Sequence, residues 1–177
     1  MKYFLSLGSN LGDRRKNISR ALAFLDQENV KVVRSSSLYK TQPVGYAAQP
    51  WFYNQVIEVA TRLNPYDLLD VIKKIESKLK RQPAVSDGPR TLDIDILLAE
   101  KSIIQTKKLI IPHPRLDKRK FVLTPLKELS PEAYHPVLRL KIRDLLKKSA
   151  DPSVVKKLKK RRKRILAATV CKKSRSS

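Results

Sequence analysis

The run Leu92-Asp93-Ile94-Asp95-Ile96 constrains the fold more than any other stretch, because aliphatic and acidic residues alternate in it without a break. A β-strand sends successive side chains to opposite faces, so the two aspartates share one surface and the aliphatics the other. Ile96-Leu97-Leu98 continues it as an apolar run that reads as buried on both faces. Aspartate is depleted in strands, so a pair of them calls for a reason. Residues two apart lie roughly 6.6 Å apart along a strand. That spacing lets both carboxylates hold a pair of magnesium ions about 3.5–4 Å apart, as in two-metal phosphoryl chemistry. The residues leave open a plainer alternative, an amphipathic edge strand with a solvated acidic face. Arg90, in the Gly88-Pro89 turn just upstream, carries a charge suited to a phosphate held there.

The chain has 177 residues, 41% of them hydrophobic, which fits one folded domain with a substantial core. Its single cysteine, Cys171, excludes an internal disulfide and suits a reducing compartment. No apolar run has the length needed to span a bilayer, and Met1-Lys2-Tyr3-Phe4-Leu5 runs into a glycine turn instead of a signal-peptide core. The expectation is a soluble, cytoplasmic chain with no membrane partner. The net charge of +23 is uneven: from Ser153 onward there are eleven basic residues and no acidic one, which leaves +12 on residues 1–152. A basic body suits a polyanionic ligand such as a nucleotide. The extension from 153 to 177 is expected to be helical or disordered, and it is the one part with a composition for binding nucleic acid.

Tyr3 to Leu7 reads as a buried strand, and Asp13 as the cap of a helix running to about Gln27. The Gly8-to-Asp13 turn between them could face a phosphate, but no P-loop or dinucleotide glycine signature occurs. Val30 to Ser37 predicts a second strand. Leu38 to Trp51 predicts a loop long enough to suggest ligand binding. Phe52 to Thr61 predicts a third strand, whose aromatics and Asn54 would suit a flat heterocycle. Asn64-Pro65 starts a helix reaching about Lys80. His113 stands between Pro112 and Pro114, so a loop presents it. Short helices are expected over Phe121 to Leu129 and Ile142 to Lys148. Strands and helices thus alternate as β-α-β-β-α-β, an α+β chain of ferredoxin-like arrangement in which an antiparallel sheet carries packed helices. A nucleic-acid module on such a sheet competes with an enzyme. Its RNA-recognition form would carry aromatics on a central strand, whereas Leu92 to Leu98, taken as central, carries aspartates.

Four segments occurring together in order carry a resemblance to a known family. They are Gly8-Ser9-Asn10-Leu11-Gly12-Asp13-Arg14; Gln49-Pro50 followed by Asn54; Gly88-Pro89-Arg90-Thr91-Leu92-Asp93-Ile94-Asp95-Ile96; and Pro112-His113-Pro114-Arg115 with Arg119 and Phe121-Val122-Leu123. Together they resemble 6-hydroxymethyl-7,8-dihydropterin pyrophosphokinase of the folate pathway, over roughly Met1 to Ile142. The resemblance implies transfer of the β,γ-pyrophosphoryl group of ATP to the pterin hydroxymethyl oxygen, with release of AMP. It implies that Asp93 and Asp95 hold two Mg2+ ions, that the pterin stacks between Phe52 and Phe121, and that Asn54 with Thr41, Gln42, Pro43 and Val44 reads the ring edges. For ATP it implies Lys73, Ile96, Lys108, Ile110, His113 and Arg119. Arg81 and Arg90 would add mobile and fixed positive charge, and the expected working form is a monomer.

The same comparison exposes departures. Where the family has Gly-Arg-x-Arg and an aromatic before the Gly-Pro turn, this chain has Lys80-Arg81-Gln82-Pro83 and Asp87. One arginine and the glycine hinge are missing, so weaker or differently timed closure over the nucleotide is expected. Gln42 replaces an expected proline, and Ile110 stands at a position often polar.

Overall fold

The computed structural model describes residues 1–45, 48–79, 88–100 and 102–159. In chain order these form β1 (Lys2–Ser9), α1 (Arg14–Gln27), β2 (Lys31–Ser35), β3 (Tyr39–Thr41), β4 (Phe52–Ala60), α2 (Pro65–Lys78) and β5 (Asp93–Ala99). After them come β6 (Ile104–Gln105), β7 (Ile110–Ile111), α3 (Lys120–Leu129), β8 (Tyr134–His135), β9 (Leu140–Lys141), α4 (Ile142–Lys148) and β10 (Val155–Lys157). One antiparallel sheet runs β10-β3-β4-β1-β5, with β2 also paired to β4. The chain is therefore α+β.

Local chemistry sets the first two helices. The Asp13 side chain accepts from the Lys16 N–H at 3.0 Å, and Asn64 accepts from both Tyr66 and Asp67 ahead of Pro65, each satisfying amide groups that have no partner within the helix. Alternation within the strands then gives the sheet two apolar faces. Tyr3, Leu5, Leu7, Ile57, Val59, Ile94 and Ile96 meet Ile18, Ala21 and Leu25 of α1 and Leu68, Ile72 and Ile75 of α2. Val56, Leu97 and Leu98 meet Val122, Leu123 and Leu126 of α3 and Ile142 and Leu145 of α4. Helices thus cover both faces. Among the described residues no helix is long and apolar enough to cross a membrane.

Three expectations need correction. The segment after Ser37 is not all loop, because Tyr39–Thr41 forms β3 between β4 and β10, with Tyr39 and Thr41 buried. Leu92 to Leu98 does not lie at the sheet centre: the strand there, β5, is the edge, and β1 and β4 are central. Its apolar run is still buried because the edge is covered. The Ile94 N–H donates to Glu76 Oε1 at 2.9 Å, and the His113 N–H donates to the Leu97 carbonyl at 2.9 Å, so the outward backbone of the edge is partly satisfied. Finally, β10 places Val155–Lys157 in the sheet, so the extension expected to begin at 153 starts as a strand. The basic residues from 160 onward lie outside the described residues, as do Arg81 and the whole Lys80-to-Asp87 departure.

Glu76 is 2% exposed and receives Lys73 Nζ at 3.1 Å on its other oxygen. Replacing it by alanine leaves the Ile94 N–H buried without an acceptor, a loss expected at about 1–3 kcal/mol. Glu76→Gln keeps an acceptor there and should lose less. Urea unfolding of both variants checks this, and equal losses would show that the backbone bond is not the important contact.

Candidate active site

The pairing of β1 builds the floor of the site. Gly8 pairs with Asn54 on one side and Asp93 on the other, while Ser6 pairs with Asp95. Directly paired residues share a face, so the two aspartates and Asn54 point the same way over the small side chains of β1. Above them lies a cleft of about 350 Å³. A Cβ at Gly8 would stand 2.7 Å from Asn54 Oδ1. Glycine there leaves Asn54 room to donate from Nδ2 to Thr41 Oγ1 at 2.7 Å.

The walls come from distant parts of the chain. Thr41, Gln42, Val44 and Gly45 line the cleft from β3 and the loop after it, and Phe52 from β4. Phe121, at the start of α3, lines it too with Arg119, Arg115 and Lys118, and Arg90 flanks Asp93. Arg90 Nη1 donates to Asp93 Oδ2 at 2.7 Å, and its Nε donates to the Gly88 carbonyl at 3.2 Å, which fixes the guanidinium. Arg119 Nη1 lies 3.6 Å from Asp95 Oδ2, with its guanidinium carbon 5.5 Å from the centre of the Phe121 ring.

Asn10, 2% exposed, ties the turn of Arg90 to the loop leading into Phe52. It accepts from the Arg90 N–H at 2.7 Å and donates to Gln49 Oε1 at 3.0 Å and the Pro50 carbonyl at 3.1 Å. Arg14 adds a bond to the Trp51 carbonyl at 2.6 Å and stacks 4.2 Å from the Tyr53 ring centre.

Burial pushes Asp95 up to about 6, and the neighbouring charge of Asp93 adds to this while Arg119 opposes it. Two close carboxylates in a partly desolvated cleft favour protonation of one. His113 moves down to about 4, first through burial and then through Arg119 and Arg115, so it is neutral at pH 7. Its Nδ1 accepts from the Arg115 N–H at 3.1 Å, which puts the proton on Nε2, 3.9 Å from Asp95 Oδ2.

Among the described residues no group of three or more His, Cys, Asp or Glu side chains converges to cage an ion. Two carboxylates on one face fit magnesium, which keeps waters and takes the rest of its ligands from substrate phosphates.

Most of the residues expected at a site come together here. Thr41, Gln42, Val44, Phe52, Asn54, Arg90, Asp93, Asp95, Arg119 and Phe121 all line the cleft, and Pro43 is buried beside it within the same loop. Lys73 pairs with Glu76 behind β5. Lys108 pairs with Asp70 at 3.1 Å on the surface, and Ile110 is 42% exposed. The Ile96 side chain is in the core, leaving its main chain as the part a ligand can meet. Arg115 and Lys118 line the cleft without having been expected there; the signal was the basic character of the Arg115-to-Lys120 loop. Asn10 and Glu76 were missed as organisers because their partners are far away in sequence.

A model of the family described as 7,8-dihydro-6-hydroxymethylpterin-pyrophosphokinase (HPPK) matches residues 4–131. The chain is 47% identical over 127 residues to the 2-amino-4-hydroxy-6-hydroxymethyldihydropteridine pyrophosphokinase of Bacillus subtilis, covering 71% of this chain and 76% of that one. The corresponding Aquifex aeolicus protein is 40% identical over 141 residues, covering 80% and 88%. The folic acid synthesis protein fol1 of Pneumocystis carinii is 41% identical over 151 residues, 85% of this chain but 20% of that longer one. In structure, a Plasmodium falciparum HPPK-DHPS chain with pteroate matches 83% of this chain and 42% of its own length, with a TM-score of 0.66 at 22% identity.

An NMR titration of the Asp95 carboxyl carbon without divalent ions should show a midpoint near 6. Arg119→Ala removes the opposing positive charge and should raise it further. A wild-type midpoint in the ordinary carboxylate range would contradict the described packing of the aspartate pair.

Proposed function

This chain belongs to the 7,8-dihydro-6-hydroxymethylpterin-pyrophosphokinase family, and from that premise we propose how its cleft carries the family's reaction. The chain is an ATP-dependent diphosphotransferase of folate biosynthesis: it transfers pyrophosphate from ATP to 6-hydroxymethyl-7,8-dihydropterin, giving the pterin diphosphate and AMP. The observation that carries the assignment of roles is the β1–β5 pairing, which sets Asp93 and Asp95 on one face of a cleft that is also lined by Phe52, Phe121, Arg90 and Arg119.

On the aromatic side, Phe52 and Phe121 would hold the pterin ring face to face. Asn54 and the loop from Thr41 to Val44 would read its polar edge, since the Asn54 Nδ2 is held by Thr41 while its Oδ1 remains over Gly8. On the phosphate side, Asp93 and Asp95 would hold two Mg2+ ions, and when bound the ions supply charge neutralisation and alignment of the triphosphate. Arg90, held by Asp93 and the Gly88 carbonyl, offers a fixed charge to the transferring group, and Arg119 joins it from α3. His113 acts as a neutral hydrogen-bond donor through Nε2, because its pKa lies far below 7. Lys73, Lys108, Ile110 and the main chain of Ile96 remain assigned to the nucleotide, Lys73 beside the Glu76 that covers the edge of β5 and Lys108 beside Asp70 of α2. Arg81 keeps its proposed role as a positive charge for the nucleotide. The closed aromatic side would also limit water as a competing acceptor.

The order β2-β4-β1-β5 supports the ferredoxin-like reading of the sheet core. We propose action as a monomer in a cytoplasmic setting, the latter supported by the single cysteine.

With magnesium, ATP and the hydroxymethyl pterin, the purified chain should form AMP, and omission of pterin or addition of EDTA should stop it. Asp93→Ala and Asp95→Ala should each lower turnover by about 10²–10³-fold or more while leaving circular dichroism unchanged. Intact ATP in the complete mixture, or wild-type rates in both variants, would overturn the proposal.

A further inference from the structure

The family model ends at residue 131, yet the cleft walls are joined by residues well beyond it. The first turn of α3, which carries Phe121, has no capping bond from its own N-cap residue, Arg119. The cap comes from elsewhere: the Lys120 N–H donates to Asp151 Oδ2 at 2.8 Å. The other oxygen of Asp151 accepts from the Ser153 N–H at 2.8 Å, which turns the chain toward β3. There the Gln42 N–H donates to the Val154 carbonyl at 3.0 Å, and the Val154 N–H donates back to Gln42 Oε1 at 3.4 Å. A proline at 42 would have neither of these groups. β10 then pairs with β3 from Val155 opposite Thr41 to Lys157 opposite Tyr39. Lys157 Nζ reaches Glu128 at 3.1 Å, and Tyr39 Oη donates to the same carboxylate, so the far end of α3 is tied to the same strand.

We propose that residues 151–157 are a brace that fixes the two walls of the cleft against each other, with Asp151 as the positioning residue for Phe121. The inference rests on the pterin reading of the cleft. A ring held between Phe52 on β4 and Phe121 on α3 is bound well only at one spacing, and its edge is read by the loop that Val154 clamps. Two ends of one short segment therefore set both the gap and the edge contacts. Burial raises the Asp151 pKa, but bonds from Ser153 and Lys120 outweigh this and hold it below the ordinary value, so the cap is a charged one at neutral pH. A helix start that loses its acceptor frays in its first turn, and Phe121 lies within that turn.

The test uses the full chain with Asp151→Ala, Asp151→Asn and, as a variant away from the helix, Val154→Pro, which removes the N–H given to Gln42. The brace requires the pterin KM to rise about tenfold in Asp151→Ala and Val154→Pro, with the ATP KM changing less than threefold. Asp151→Asn, which keeps an acceptor oxygen for only one of the Lys120 and Ser153 N–H groups, should fall between wild type and Asp151→Ala. Hydrogen exchange gives a readout independent of turnover: the Lys120 amide should exchange at least tenfold faster in Asp151→Ala and at an intermediate rate in Asp151→Asn. Equal rises in both KM values, or unchanged Lys120 exchange in a folded Asp151→Ala, would overturn the brace. A wild-type chain lacking pterin-dependent AMP release would contradict the activity while leaving the exchange result to judge the brace, so the two claims fail separately.

Discussion

The pairing of β1 with β5 is the constraint on which the site depends. It puts Asp93 opposite Gly8 and Asp95 opposite Ser6. Strand side chains have a period of two, so a slip of one residue would turn both aspartates into the core and Ile94 and Ile96 into the cleft. The register is held from both sides. Ile94 and Ile96 are committed to the core beneath α1 and α2, and Glu76 reaches from α2 to take the Ile94 N–H. The acidic pair is thus held in place mainly by the apolar residues that alternate with its members.

That placement has an electrostatic cost which the rest of the cleft offsets. Two carboxylates on one enclosed surface repel each other and lose hydration, and the raised pKa of Asp95 expresses it. Arg90 and Arg119 counter one aspartate each. Arg115 and Lys118 add further positive charge to the lining. A site of this kind suits a highly charged anion accompanied by cations, and it explains why the basic charge of the body is useful near the aspartates and not only at the tail. Neutral His113 fits the same logic, since a further cation beside Arg115 and Arg119 would be repelled.

Local signals in the sequence carried much of this. The alternation around Asp93 and Asp95 revealed the face they share, and Asp13 and Asn64-Pro65 marked two helix starts that the hydrogen bonds bear out. The aromatic Phe52 and the proline-flanked His113 stood out by type and neighbours. What local pattern could not show was which strand lies beside which. β5 is an edge strand whose burial comes from Glu76 and the His113 loop, so an apolar run alone made it look central. Three-residue β3 has too few residues for a periodic signal, and it is a strand because β4 and β10 pair with it on either side. Asn10, with partners at Gln49, Pro50 and Arg90, is likewise legible only in three dimensions.

The central claim is that the β5 aspartate pair forms the cation-bearing centre of a pterin pyrophosphokinase. Electron paramagnetic resonance with Mn2+ in place of Mg2+, in the presence of a non-hydrolysable ATP analogue and the pterin, counts the bound ions directly. The account requires two bound Mn2+ per wild-type chain and loss of at least one in Asp95→Ala. Two ions retained in Asp95→Ala, with the chain folded, would contradict it.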